Sequence, residues 1–175
     1  VKRESIKTIV NKLEQQERKI LRDSGVKFGR YHIFLYKLFK PSSVSLRLTL
    51  WKNFYRKYYD LAPPVFGLNF FEDKKNINKE FMLICGFENF GKYFIRIDIL
   101  ERLFIMIFNA NKNDKENQIK LIPQMLNLLG CSKENFIKLL RQMNYKTFEK
   151  NNEIYFKYLP VRKNLNKNKK NINLG

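Results

Sequence analysis

Residues 98–159 carry an ordered set of boundary signals that strongly constrain how this chain can fold. Ser and Asp cap helix N-termini, Pro suits a first helical turn, Gly suits a left-handed C-cap, and paired Asn residues suit a hairpin turn. Asp98 precedes an apolar stretch from Ile99 to about Asn109, and Pro123 and Gly130 stand at the two ends of a short apolar run. Ser132 then precedes a helical pattern from Lys133 to Asn144, and Asn151-Asn152 lies between two strand-like runs. The stretch therefore predicts three helices followed by a β-hairpin.

This order of elements is that of a winged helix-turn-helix module, in which the last of the three helices reads nucleic acid. Outward cations on that helix and on the hairpin suit phosphate neutralisation. The candidate nucleic-acid-binding residues are Lys133, Lys138, Arg141, Lys146, Lys150 and Lys157. The alternative interpretation is a module that packs against protein, with surface lysines that are simply common in a chain of this composition.

A second candidate surface comes from residues 25–59, which hold eight Lys or Arg, ten aromatic residues and no Asp or Glu. Aromatic rings interleaved with cations suit base stacking combined with phosphate contact. Most of these rings stand at structural spacings, however, which predicts that they belong to the core. Arg30, Lys40 and Arg47 remain as candidate nucleic-acid contacts.

The whole chain is predicted to be α+β and mostly helical, with an N-terminal helix and a strand-helix region before the winged-helix-like module. No internal repeat is visible in the sequence. Four parts are expected: an amphipathic helix in 1–24, helical over 2–22; a basic aromatic region in 25–97; the module in 98–159; and a disordered basic tail in 160–175. Within the basic aromatic region, a strand is predicted near 29–35 and a helix at about 43–58. An irregular segment at 65–80 and short strands at 81–85 and 93–97 are predicted to follow.

Composition narrows the function further. Lys and Arg number 35 against 16 Asp and Glu, for a formal net charge of +19, which favours a polyanionic partner even after allowing for the lysine-rich bias of AT-rich coding. Two cysteines, Cys85 and Cys131, cannot form a four-ligand zinc site, and the single His32 is expected to be structural. No metal, cofactor, signal segment or membrane span is predicted, and a cytoplasmic location is expected.

The segment 86–93 nearly matches a phosphate-binding loop. Tyr93 replaces the hydroxyl residue that would hold Mg²⁺, and a strand follows instead of a helix. The segment is therefore predicted to be a hairpin, and the sequence offers no catalytic site.

Several segments resemble a known family. Residues 25–35, 38–41 and 46–51 resemble the region that follows the motor in SUV3-like superfamily 2 helicases of the alphaproteobacterial type. Residues 96–103 and the stretch from 128–132 through 139–145 resemble a later part of the same proteins, so the likeness covers roughly residues 10–160.

The resemblance implies an ATP-dependent RNA or DNA helicase, a hydrolase whose ATP and Mg²⁺ would belong to a motor that this chain lacks. The expected role is a nucleic-acid-binding accessory region, monomeric, that works with helicase motor domains in cis or in trans. Two alternatives stay open: a freestanding winged-helix regulator that reads duplex DNA as a dimer, and a protein-docking module.

Overall fold

A computed structural model describes residues 1–56, 59–111 and 117–160. Within these ranges the chain is α+β, as predicted, with seven α-helices and three small antiparallel sheets. None of the described helices combines the length and apolarity that a membrane crossing requires. The predicted disordered tail lies, beyond Pro160, outside the described residues.

The prediction of one N-terminal helix over 2–22 is wrong. A 3₁₀ turn, Glu4–Ile6, is followed by α1, Lys7–Lys12, and α2, Gln15–Asp23. Glu14 lies in an extended conformation between the helices and starts the second one through a capping box, in which its backbone N–H donates to Glu17 at 2.8 Å. The apolar residues keep helical spacing across this cap, so their spacing alone did not predict the break between the two helices.

The next elements set the position of Arg30. Strands β1, Val26–Phe28, and β2, Ile33–Leu35, form a hairpin around Gly29–His32, and the opposite edge of β2 extends to a bridge between Lys2 and His32. A 3₁₀ turn leads into α3, Pro41–Tyr55, which has Pro at its first position, as expected. The structure thus confirms helix over strand for this segment.

A three-stranded sheet occupies the middle of the chain. Its elements are β3, Phe70–Glu72, then α4, Lys79–Ile84, then β4, Phe87–Phe90, and β5, Tyr93–Arg96. The predicted strand at 81–85 is wrong, because the Asn78 side chain accepts the Phe81 backbone N–H at 2.9 Å and caps a short helix. The hairpin prediction for 86–93 is confirmed, and the segment predicted to be irregular contains β3.

The C-terminal elements follow the predicted order of three helices and a hairpin. They are α5, Ile97–Asn111; β6, Ile119–Lys120; α6, Pro123–Leu129; α7, Lys133–Gln142; β7, Tyr145–Lys150; and β8, Glu153–Tyr158. Gly130 takes a left-handed C-cap, and the Ser132 side chain accepts the backbone N–H of Asn135 at 3.2 Å. Strand β6 was not predicted.

The middle and C-terminal sheets repeat one topology that the sequence did not show. Their strand orders are β3-β5-β4 and β6-β8-β7, so in each the first strand pairs with the last. A helix precedes each first strand, and a helix leads directly into each hairpin. The residues after those helices, Gly86 and Asn144, both have positive φ, at 93° and 63°. The chain therefore contains two units of similar plan.

The middle sheet separates two hydrophobic clusters. Phe70, Tyr93 and Ile95 pack into the larger one with α5, α6, α7 and the C-terminal hairpin. Phe87 and Phe94 pack into the smaller one with α3 and α4. Because neighbouring residues of a strand point to opposite faces, the same strands supply both clusters.

Candidate nucleic-acid interface

A cleft of about 440 Å³ lies between the β1–β2 turn, α5 and the C-terminal hairpin. Two of the predicted cations, Arg30 and Lys157, line it from opposite ends of the chain. Its aromatic lining is made by Tyr31, Phe104, Phe108, Tyr145 and Tyr158. The structure thus joins the two surfaces that the sequence predicted separately.

Glu101 on α5 fixes the turn that carries Arg30. Its carboxylate accepts the backbone N–H groups of Arg30, Tyr31 and His32 at 2.6, 3.0 and 2.7 Å. A Cβ at Gly29 would lie 2.4 Å from Oε2 of Glu101, so glycine allows this close approach. The turn is therefore attached to the helix that also supplies Phe104 and Phe108.

His32 is a buried structural histidine, as predicted. Its Nδ1 lies 3.0 Å from Oε1 of Glu101, and its Nε2 lies 2.8 Å from Oε2 of Glu88 on β4. Burial alone lowers the pKa of His32, but the hydrogen bonds with the two carboxylates outweigh it and raise the pKa above its usual value. Lys2 also pairs with Glu88, at 3.1 Å. The cluster ties the N-terminal segment to both β4 and α5.

The rings of the cleft are packed around the Arg30 guanidinium. Its carbon lies 5.8 Å from the ring centre of Tyr31 and 5.7 Å from that of Phe108, within cation–π range. On the hairpin side, the Tyr145 and Tyr158 rings meet edge to face at 5.3 Å. Burial raises the pKa of Tyr145 to about 12, so its hydroxyl is neutral at physiological pH and can donate a hydrogen bond. Tyr158 and Phe108 are 47% and 44% exposed, which leaves ring surface for a ligand.

The hairpin places two cations directly opposite each other. Lys146 on β7 pairs in register with Lys157 on β8, and both side chains are exposed. Like charges at such a site destabilise a hairpin. Lys150 differs, because it stands opposite Glu153, which also binds Lys120. Within the described ranges neither Lys146 nor Lys157 forms a salt bridge, so the unpaired positive charge that the structure describes on the hairpin is at this pair, beside the cleft.

The outward face of α7 carries an ion pair and adjoins the middle sheet. Lys133, Lys138 and Arg141 are all exposed. Lys138 pairs with Glu134 on the same helix, and Glu72 on β3 is close enough to influence Lys138. The Gln142 side chain lies against Gly91, in the turn of the middle sheet. The neighbouring unit thus brings an acid and a packing contact to this helix.

The two remaining predicted cations lie elsewhere. Lys40 is exposed at the N-cap of α3. Arg47, on the same helix, is half-buried instead of lying on a basic surface, and its Nε and Nη2 atoms are shielded from solvent without a hydrogen-bond partner among the described residues. Neither residue lines the cleft.

Sequence reasoning missed the aromatic lining and the role of Glu101. A signal for Glu101 was present, because an acid at this position interrupts the apolar stripe of Ile97, Leu100 and Phe104 on one helical face. An acid on a buried stripe indicates a partner that must be satisfied. No comparable local signal marks Tyr31 or Tyr158, whose neighbours in the cleft are distant in sequence.

Both cysteines are free thiols, Cys85 buried and Cys131 half-buried. Burial raises the pKa of Cys85 to about 12 and that of Cys131 to about 11, so both thiols are protonated at neutral pH. Within the described ranges, no group of three or more His, Cys, Asp and Glu side chains is arranged to hold a metal ion.

No protein-family model, curated protein or solved structure matches this chain. The cleft and the charges around it are therefore the features that bear on function.

Proposed function

We propose that this chain binds single-stranded nucleic acid, RNA or DNA, as an accessory region that works with the motor of an ATP-dependent helicase. The observation that carries the proposal is the cleft, where Arg30 and Lys157 accompany five aromatic side chains. Cations that follow a backbone, together with rings on which bases stack, are how proteins hold single strands without reading sequence. The resemblance of residues 10–160 to SUV3-like helicases supports the same role.

Within this proposal, α5 to β8 form a winged helix. The order helix, strand, helix, helix and hairpin, with sheet order β6-β8-β7, supports this interpretation. The hairpin is then the wing, and Lys146 and Lys157 lie on it. The contact surface is centred on the wing and the cleft, because the outward face of α7 carries the Lys138–Glu134 pair and adjoins the middle sheet. This arrangement favours a single strand over duplex reading by α7.

A binding experiment tests the proposal on the full chain. Fluorescence anisotropy with a labelled twelve-nucleotide single strand, titrated across salt, compares the parent with Arg30→Gln/Lys157→Gln. Loss of two phosphate contacts should weaken binding and reduce the salt slope by about 1.4, since each contact on a single strand contributes about 0.7. Tyr158→Ala should cost about 1–3 kcal/mol of binding free energy through lost stacking.

The matched control is Lys12→Gln/Lys19→Gln, which removes the same charge from exposed positions on α1 and α2. It should leave the affinity close to that of the parent. If the control weakens binding as much as the cleft variant does, binding follows net charge alone and the proposed site is wrong. A preference for duplex over single strand would favour a duplex-reading regulator instead.

A further inference from the structure

The cleft opens, past Phe108, into a groove between the β1–β2 hairpin and the outer side of α5. An adjoining depression of about 280 Å³ shares three lining residues with the cleft: Arg30, Phe104 and Phe108. A further depression of about 340 Å³ shares three lining residues with the adjoining one: Phe28, Gly29 and Ile105. These two depressions, here called the hairpin groove, therefore continue the surface of the cleft along α5.

Exposed cations line the hairpin groove from both sides. Lys27 contributes from β1 and Arg102 from α5, and both residues are exposed. Neither belongs to an ion pair among the residues that the structure describes. Because Arg30 stands at the junction with the cleft, the three side chains extend the positive charge of the cleft into the groove.

The acids that line the groove are already used by the fold. Asp98 accepts two hydrogen bonds from Arg96, at 2.7 and 3.1 Å. Glu101 accepts the backbone N–H groups of the turn that carries Arg30. The two acids are only 6% and 4% exposed. A polyanion at this surface therefore meets the cations before it meets the carboxylates.

Ring and aliphatic surface lies between the cations. Tyr36 and Ile105 are 56% and 59% exposed, and both line the groove. Arg102, Ile105 and Phe108 stand three residues apart on α5 and follow the continuous surface over about 9 Å, at about 1.5 Å per residue. That length corresponds to about two to three nucleotides, at a spacing of about 3.4 Å in a stacked strand.

We propose that a single strand held in the cleft continues into the hairpin groove, where Lys27 and Arg102 bind its phosphates and Tyr36 stacks on a base. This inference rests on the proposed binding of a single strand in the cleft and lengthens that site. Cations on both walls, with ring surface between them, suit a polyanion whose unpaired bases lie against the protein. The groove therefore adds contacts that a duplex, with its bases already stacked on one another, leaves unused.

The test is a length series of labelled single strands, from four to twelve nucleotides, bound to the full chain and measured by fluorescence anisotropy across salt. Affinity for the parent should keep rising with length until the strand fills both the cleft and the hairpin groove. Lys27→Gln/Arg102→Gln should end that rise about two to three nucleotides earlier. It should also reduce the salt slope for the twelve-nucleotide strand by about 1.4, because two phosphate contacts of about 0.7 each are lost, and leave the four-nucleotide strand unaffected.

The Lys12→Gln/Lys19→Gln control removes the same charge outside both surfaces and should keep the length profile of the parent. A groove variant that matches this control, or that weakens strands of every length equally, would overturn the inference. The cleft variant Arg30→Gln/Lys157→Gln separates the two proposals. If it weakens binding while the groove variant does not, the strand is held in the cleft alone. If neither variant weakens binding more than the control does, the proposed function fails as well.

A matched pair of tyrosines tests the stacking. Tyr36 and Tyr59 are both 56% exposed, but Tyr36 lines the groove, whereas Tyr59 lines neither the groove nor the cleft. Tyr36→Ala should weaken binding of the twelve-nucleotide strand about fivefold or more and leave the four-nucleotide strand unchanged. Tyr59→Ala should change neither affinity. Equal effects of the two substitutions would contradict stacking in the groove.

Discussion

Glu101 shows how one side chain can position a surface site from inside the core. It is 4% exposed, yet it accepts three backbone N–H groups from the turn that carries Arg30 and lies within hydrogen-bond distance of Nδ1 of His32. A buried carboxylate is tolerated only when its acceptors are used in this way. The position of Arg30 therefore depends on a residue that is itself buried.

The His32 cluster predicts a pH dependence of stability. Because the folded pKa of His32 is raised, its contribution is complete below the unfolded pKa of about 6.5 and is lost as the pH rises through the folded pKa. The pKa of Glu88 is lowered: burial raises it, but hydrogen bonds from His32 and Lys2 outweigh burial. Its contribution is present above about 4.5 and is lost as the pH falls through the folded pKa. The cluster therefore contributes most to the stability of the fold between about pH 4.5 and about pH 6.5.

Urea unfolding from pH 5.5 to 9 checks this expectation. The free energy of unfolding should decrease above about pH 6.5, with a slope of at most about 1.4 kcal/mol per pH unit for one proton. The chain has a single histidine, so a His32→Gln variant should have a lower free energy of unfolding at pH 6. Above pH 6 its free energy of unfolding should change less with pH than that of the parent. Parallel profiles would contradict the assigned role of His32.

At the scale of elements, the C-terminal hairpin combines a stability cost with a proposed function. Lys146 and Lys157 face each other, and replacing one of them by a β-branched neutral residue removes repulsion and improves strand propensity. We expect Lys146→Thr to raise the free energy of unfolding by about 0.2–1 kcal/mol and to weaken binding of the single strand. Thermal unfolding and anisotropy on one preparation measure both quantities.

Lys150→Thr is the control for this variant, because Lys150 stands opposite Glu153 on the same hairpin. It removes a favourable cross-strand pair, so it should not raise stability. A Lys146→Thr variant that is less stable than its parent would show that the lysine pair carries no electrostatic cost.

Elements were predictable where one residue type marks their boundary. Ser132, Gly130 and Pro41 each mark a helix end in the sequence as in the structure. The strand prediction for 81–85 was wrong because a five-residue apolar run fits both a buried strand and a short helix. The Asn78 side chain, three residues before this run, caps the helix and so favours it over the strand. The cations of the site were also visible locally. Their convergence was not, because Arg30 and Lys157 are far apart in sequence and meet only where the β1–β2 turn, α5 and the hairpin form one cleft.

At the scale of the whole molecule, the middle sheet belongs to both hydrophobic clusters. We therefore expect one cooperative unfolding transition. Leu48→Ala in the smaller cluster and Leu140→Ala in the larger one should each lower the free energy of unfolding by about 2–5 kcal/mol. The fluorescence of Trp51, the single tryptophan, reports on the smaller cluster, whereas far-UV circular dichroism reports on all helices.

The decisive comparison is Leu140→Ala observed through Trp51. If both clusters unfold together, the fluorescence and dichroism midpoints shift equally although the substitution lies in the other cluster. Separate midpoints would mean that the two hydrophobic clusters are independently stable, and that the middle sheet between them does not couple them.

The attachment of the Arg30 turn to α5 has a mechanical consequence. Under the proposed function, a strand held in the cleft and pulled by a motor would exert force on the turn, and the hydrogen bonds to Glu101 would transmit that force to a fifteen-residue helix packed in the core. The load is then spread over the interior instead of stretching a surface loop. A turn attached in this way would let the cleft keep its shape while a strand slides through it under tension.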